Sequence, residues 1–382
     1  MKKIIRTATV SISLDILLRG QLSFLNSKYE IVAVSGKDKH LDLVATREGV
    51  RVIDLPMRRA ISPFADLLSL IKLFFLFRKE RPDMVHSITP KAGLLSMIAA
   101  SFAGVPIRVH TFTGLLFPTS VGFKKILLLN MDRLLCKFAT HIYPEGEGVK
   151  NDLLNNKVTK KPLNVLANGN VNGIDVDFFS PDKVGKLDVR DLKSHLGITE
   201  NDFVFVFAGR LVQDKGINEL VAAFVSLSKL NSNCKLLLVG SLEAELDPLF
   251  STTIQNINNH PSIISVGWQD DIRPYLSISN VLVFPSYREG FPNVVLQAGA
   301  MELPSIVTDI NGCNEIIYDE INGLIIPVKN DIALESAMKK ILLDTDFYFK
   351  LKNNSREQIV SRYSQDLVWN AILEEYQKLM KP

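Results

Sequence analysis

FAGRLVQDKGINEL, from Phe207 to Leu220, reads as the end of a β-strand, a short loop with two glycines and two cations, and the start of an amphipathic helix. The apolar run DFVFVFAGR leads into it, and INELVAAFVSLSKL continues from it with apolar residues at helical spacing. A strand that passes directly into a helix is the repeating unit of a parallel sheet, whose strands can be joined only by crossovers.

The same alternation runs outward in both directions. Ahead of the loop, KKIIRTATV, EIVAVS, VRVIDLP, MVHSI, IRVHTFT and THIYPE read as strands, separated by helices such as FADLLSLIKLFFLFRKE and KAGLLSMIAASFAG. After it come CKLLLVGS, IISVGW, NVLVFPS and PSIVTD, then a helical tail from about Asp331. LANGNVNGIDVDFFSPDKVG, Leu166 to Gly185, is dense in Asn, Gly and Asp and reads as a linker. The expected fold class is α/β, with two Rossmann-like doubly wound domains facing across a cleft. The expected boundaries are 1–170, a linker at 171–200, and 201–363, and the reading allows a last helix at about 364–382 to pack back on the first domain.

The chain has 382 residues, of which 47% are hydrophobic and 22% charged, as in a soluble globular protein of two domains. Its net charge of +3 conceals an asymmetry: residues 1–170 hold 25 Lys and Arg against 13 Asp and Glu, and the remainder 19 against 28. A basic first half suits an anionic membrane surface, a nucleic acid, an anionic substrate or a solvated face. Cys136, Cys234 and Cys313 lie far apart without metal-ligand spacing, which points to a reducing cytoplasm. MKKIIRTATVSISL is broken by Arg6 and Thr7 before a signal-peptide core could form, and no apolar run reaches the length of a bilayer span.

The opening loop has chemistry to offer. Helix-start amides together with Arg210 and Lys215 suit a diphosphate, although both residues also read as solvated loop charges. SYREGFPNVVLQAGA, Ser286 to Ala300, repeats the design: strand NVLVFPS, a turn at Gly290, and Pro292 in the first turn of a helix running through Val294 to Ala300. Glu289 falls at that corner, where a carboxylate can accept hydrogen bonds from hydroxyl groups. Alone, it reads rather as a stabilising charge at a helix start.

Together the two motifs resemble the retaining GT-B glycosyltransferases of family 4. Gly209-Arg210-Leu211-Val212-Gln213-Asp214-Lys215-Gly216 matches that family's G-R-L-x-x-x-K-G loop, and Glu289-Gly290-Phe291-Pro292-Asn293 opens its E-x7-E motif. The resemblance implies a nucleotide-sugar site made of Gly209, Arg210, Lys215, Gly240, Trp268, Glu289, Gly290, Phe291, Pro292, Asn293, Val294 and Gln297. Arg210 and Lys215 would hold the donor diphosphate and Glu289 the sugar hydroxyls, these three being the catalytic set. Trp268, with Gln269, would lie near the nucleobase. Gln297 replaces the motif's second Glu, which usually contacts the ribose; its carbonyl still accepts one hydrogen bond but carries no charge. On the acceptor side the match is looser: Thr113 stands where a His is usual, His110 lies three residues earlier as a candidate proton carrier, and Ser13 remains after the first strand.

The implied reaction is transfer from a UDP-sugar, as substrate, to a saccharide acceptor linked to a lipid, with retention, in cell-surface polysaccharide assembly and with no metal. Asp175-Val176-Asp177 is formally the D-x-D of metal-dependent transferases, but it lies in the linker. No nucleic-acid partner is implied. FKKILLLNMDRLLCKF, Phe123 to Phe138, could pack in the core or lie on the inner membrane surface, whereas the helix beginning FADLL is read as core-facing with solvated lysines. The rival readings are a UDP-sugar 2-epimerase of the same architecture and a non-catalytic nucleotide-sugar-binding protein.

Overall fold

The computed structural model describes residues 1–243, 245 and 247–381, and divides into two compact units. The first is Met1–Gly173 with the chain from Gln365 onward, and the second is Ile174–Ser364.

In the first unit the strands are β1 (Lys3–Thr7), β2 (Glu30–Ser35), β3 (Arg51–Asp54), β4 (Met84–Ser87), β5 (Ile107–Phe112) and β6 (His141–Pro144). They form one parallel sheet in the order β3-β2-β1-β4-β5-β6. Strands covered by helices on both faces must be apolar on both, which is why Ile4, Ile5, Val32, Ala33, Val34, Met84 and Val85 are consecutive rather than alternating core residues. Arg6 is the exception in β1. Its guanidinium is buried and donates to Gln21 Oε1 at 3.0 Å and Tyr376 Oη at 2.9 Å. Tyr376 comes from the last helix, Gln365–Leu379, whose Val368, Ile372 and Tyr376 are core residues of this unit.

In the second unit β7 (Phe203–Ala208), β8 (Cys234–Val239), β9 (Ile263–Gly267), β10 (Val281–Phe284), β11 (Ser305–Thr308) and β12 (Gly323–Ile326) follow the same plan, ordered β12-β11-β10-β7-β8-β9. β12 has no counterpart in the sequence reading. It is only four residues long, and its Gly323 is required because a Cβ there would lie 2.2 Å from the Ser305 carbonyl oxygen of β11.

The segment read as a linker at 171–200 is corrected by the structure. Its Asn and Gly residues do form turns: Asn170 (φ 62°) and Gly173 (φ 68°) are left-handed, and Asn170 Oδ1 accepts from Asn172 N and Gly173 N. From Ile174 onward, however, the chain belongs to the second unit. Ile174 is buried, its N–H donates to Tyr363 O at 2.7 Å, and Arg356 donates to Phe179 O and Val176 O, both at 2.8 Å. Lys186–His195 then forms a helix. Weak hydrophobic periodicity concealed a segment held by backbone carbonyls. Asp175 Oδ1 there accepts from Asp177 N at 3.2 Å and Phe178 N at 2.8 Å, so that carboxylate closes its own turn.

Candidate active site

In the second unit the strand order reverses between β7 and β10, so the loops that leave these two strands diverge and open a crevice at their carboxyl ends. The loop from β7 leads to the helix Ile217–Ser228, and that from β10 to the helix Asn293–Ala300. Gly216 (φ 71°) makes the first junction possible, because a Cβ there would lie 2.1 Å from the Pro285 carbonyl oxygen at the end of β10. Several hydrogen bonds stitch this junction together. Tyr287 N donates to Asp214 O (2.8 Å), Tyr287 Oη to Glu219 Oε1 (2.5 Å), and Arg288 Nη2 to Asp214 Oδ2 (3.0 Å).

This junction brings together Lys215 and Glu289, 74 residues apart, as an ion pair between Nζ and Oε1. Both side chains are largely buried, and the ammonium also lies 5.5 Å from the centre of the Phe284 ring. The buried hydroxyl of Ser286 donates to the same Glu289 oxygen at 2.8 Å, and Thr308 in turn donates its hydroxyl to the Ser286 carbonyl. Glu289 is therefore aimed by a chain of partners running back into the sheet. Beneath it sits Cys313, whose thiol is pushed far above its ordinary value by burial and, next, by the Glu289 carboxylate. Both helices begin at the ends of these loops, and helix starts carry backbone amides suited to anions. A cation, a carboxylate and two helix starts can together hold an anion and a hydroxylated group side by side.

The remaining sequence candidates divide. Gly209 and Gly240 meet at the ends of β7 and β8: a Cβ on Gly240 would lie 1.8 Å from the Gly209 carbonyl oxygen, so no side chain fits there. Asn293, Val294 and Gln297 share one half-buried face of their helix. Arg210 is not drawn to the Lys215–Glu289 pair; its Nη1 donates to Glu243 Oε2 at 2.9 Å, and its side chain is half exposed. Phe291 is a correction, since its buried ring packs 5.4 Å from that of Tyr363, leaving only its backbone for a ligand. The left-handed residues in this region are Gly216 and Gly312 rather than Gly290, and Pro292 precedes the helix instead of occupying its first turn. Trp268 is 64% exposed at the end of the edge strand β9, bonded to Asp270, and about 10 Å from β7 by strand spacing. Ser286, Thr308 and Cys313 were missed by the sequence reading; the polar serine closing the apolar run NVLVFPS was the one available signal.

On the first unit, His110 is corrected as a proton carrier. It is 1% exposed, and Gly93 of the helix Pro90–Phe102 covers it so closely that a Cβ there would lie 2.5 Å from its ring. Its Nδ1 pairs with the Ser87 hydroxyl at 2.8 Å, and burial pushes its pKa down to about 3. It is a neutral core residue. Thr113 is half-buried and donates its hydroxyl to Ile88 O at 2.9 Å, while Ser13 is half-buried in the helix Ser11–Leu17.

The sequence model of glycosyl transferases group 1 matches residues 188–358, and that of the glycosyl transferase 4-like domain matches residues 26–169. The capsular polysaccharide biosynthesis glycosyltransferase CapM of Staphylococcus aureus is 34% identical over all of this chain and 98% of its own length. The chain belongs to the group 1 glycosyl transferases. A second relative of this glycosyltransferase, the Escherichia coli UDP-Gal:alpha-D-GlcNAc-diphosphoundecaprenol alpha-1,3-galactosyltransferase, is 31% identical over 83% of the chain and 81% of its own length. Among solved structures, Anabaena Alr3699/HepE in complex with UDP and glucose superposes with a TM-score of 0.82 at 16% identity, covering 99% of this chain and all of that one. A Rickettsia africae glycosyltransferase gives 0.82 at 21%, covering 100% and 99%. The fold is accordingly GT-B.

Proposed function

We propose that this glycosyltransferase moves a sugar from a UDP-sugar to a lipid-linked saccharide, with retention at the anomeric carbon, in the assembly of a surface polysaccharide. The observation that carries the proposal is the Lys215–Glu289 pair, held between two helix starts where the strand order reverses. Support for the substrates comes from relatives named for capsular polysaccharide biosynthesis and for transfer from UDP-Gal to a diphosphoundecaprenol-linked sugar.

A diphosphate arriving at the first turns competes with Glu289 for the Lys215 ammonium. Once Lys215 turns to the phosphate, Glu289 is free to accept hydrogen bonds from the donor sugar, still positioned by Ser286. As the bond from the anomeric carbon to the phosphate oxygen breaks, negative charge grows on the leaving group, where Lys215 and the amides stabilise it. The acceptor hydroxyl enters on the same face and gives its proton to the departing phosphate. None of these steps requires a nucleophile from the chain.

The test uses the purified protein with UDP-sugars and a diphospho-lipid saccharide. The expected result is an α-linked product from an α-linked donor, lost in Glu289→Ala while UDP binding persists. Release of a free epimerised nucleotide sugar, or binding without turnover of any UDP-sugar, would refute the proposal.

A further inference from the structure

The helix Pro63–Glu80 has two apolar faces, and the fold uses only one. Ser69, Leu73 and Phe77 are buried against the unit, as a core-facing reading requires. Along the opposite face, however, Phe64 (87% exposed), Leu67, Leu68, Ile71 and Phe75 (64%) are exposed at helical spacing over three turns. Isolated exposed apolar residues are ordinary, but a continuous stripe of this kind on a folded domain marks a contact surface. A second cluster stands at the start of the helix Gly122–Phe138, where Val121, Phe123 and Ile126 are exposed beside Lys124 and Lys125. Both helices pack against Pro90–Phe102, and Lys91 at the start of that helix bonds Asp66 at 2.8 Å.

Charge indicates what covers the stripe. Residues 58–81 contain Arg58, Arg59, Lys72, Arg78, Lys79 and Arg81, all exposed, against only Asp66 and Glu80. Neither acid is available to offset them: Asp66 is paired with Lys91, and Glu80 with Lys3 (3.0 Å) and Arg51 (2.5 Å). An apolar stripe flanked by unneutralised cations fits the interface of an anionic bilayer, in which the helix lies parallel to the surface. No helix among the described residues is long and apolar enough to cross a membrane, so contact of this kind is interfacial. We infer that the outward face of Pro63–Glu80, with the Val121–Ile126 cluster, docks the protein on anionic lipid. The inference rests on the lipid-linked-acceptor reading for its purpose, but exposure and charge alone carry it.

The test is co-sedimentation with vesicles of phosphatidylcholine containing phosphatidylglycerol, compared with phosphatidylcholine alone. The protein should bind the anionic vesicles preferentially. The exposed-face variant F64S/L68S/F75S should lower partitioning on the order of a hundredfold. R58Q/R59Q should lower it about tenfold, and less at high salt. The triple variant should keep wild-type turnover on a water-soluble acceptor analogue and lose it on acceptor embedded in vesicles. Equal binding by wild type and triple variant, or wild-type dimers that the same substitutions dissociate, would overturn the inference. Vesicle binding without transfer to any acceptor would leave the surface assigned and refute the transferase reading instead.

Discussion

At the crevice of the C-terminal unit two opposite charges, Lys215 and Glu289, stand where the strand order reverses. At the equivalent point of the N-terminal unit, between β1 and β4, the described residues hold no such pair. There Thr9 and Thr89 bond hydroxyl to hydroxyl at 2.7 Å, and Thr9 Oγ1 also accepts from Ala92 N at 3.1 Å. Polar groups of that unit are instead drawn inward: Arg6, His86, Thr111 and Tyr376 form a buried network. One strand order thus supports two electrostatic designs. In one, an ion pair stands in the crevice; in the other, polar groups bond one another within the core.

The largest test of that contrast is Glu289→Ala, which should lower kcat/KM by about a thousandfold while changing UDP affinity only a few-fold. Steady-state kinetics with calorimetric UDP titration checks this, and a similar loss from Thr89→Val would break the comparison. Lys215→Ala should weaken UDP binding by about 10- to 100-fold, the worth of a charge-assisted contact of about 1.5–3 kcal/mol.

Gly216→Ala should destabilise the C-terminal unit by about 2–4 kcal/mol, because the new methyl would meet the Pro285 carbonyl at 2.1 Å in a left-handed backbone. Gly49→Ala in the other unit has the same backbone sign but nothing within 4 Å, and should cost only about 1 kcal/mol. Hydrogen exchange read peptide by peptide would assign each loss to its unit.

The buried histidines of the N-terminal unit make their own prediction about acid. Burial holds His110 neutral down to about pH 3, and burial with the Arg6 guanidinium keeps His86 well below its ordinary value. Between about pH 6.5 and 3 the unfolded chain binds a proton at His110 that the folded chain does not, so stability falls as pH falls through that range, and the lowered His86 acts in the same direction. His110→Asn should remove one such slope from the N-terminal unit, measured by urea unfolding across that range. The smallest effect is that of Arg210→Ala: its exposed pairing with Glu243 is worth under about 1 kcal/mol, so UDP affinity should change by less than about fivefold. A loss as large as that of Lys215→Ala would move Arg210 into the same crevice contact.

These tests also show where sequence alone was enough. The eleven strands read from apolar runs are all present, because a buried parallel strand must be apolar on both faces and so stands out. The sequence reading grouped Arg210, Lys215 and Glu289; the structure pairs Lys215 with Glu289 and Arg210 with Glu243. Other features depended on contacts that leave no local pattern. Glu243 as the partner of Arg210, Gly93 sealing His110, and Tyr363 filling the space beside Phe291 all come from remote parts of the chain. The linker reading failed for a related reason. Residues 174–185 are fixed by Arg356 through carbonyl oxygens, a mode of anchoring to which side-chain hydrophobicity is blind.

The bond from Ile174 N to Tyr363 O ties the first and last turns of the C-terminal unit to each other. That unit is therefore an uninterrupted insertion whose ends meet, whereas the N-terminal unit is split and must recover its final helix after the insertion has been made. Such a layout behaves as a removable cassette. Such a module could be exchanged between relatives through two adjacent splice points, leaving the other unit intact.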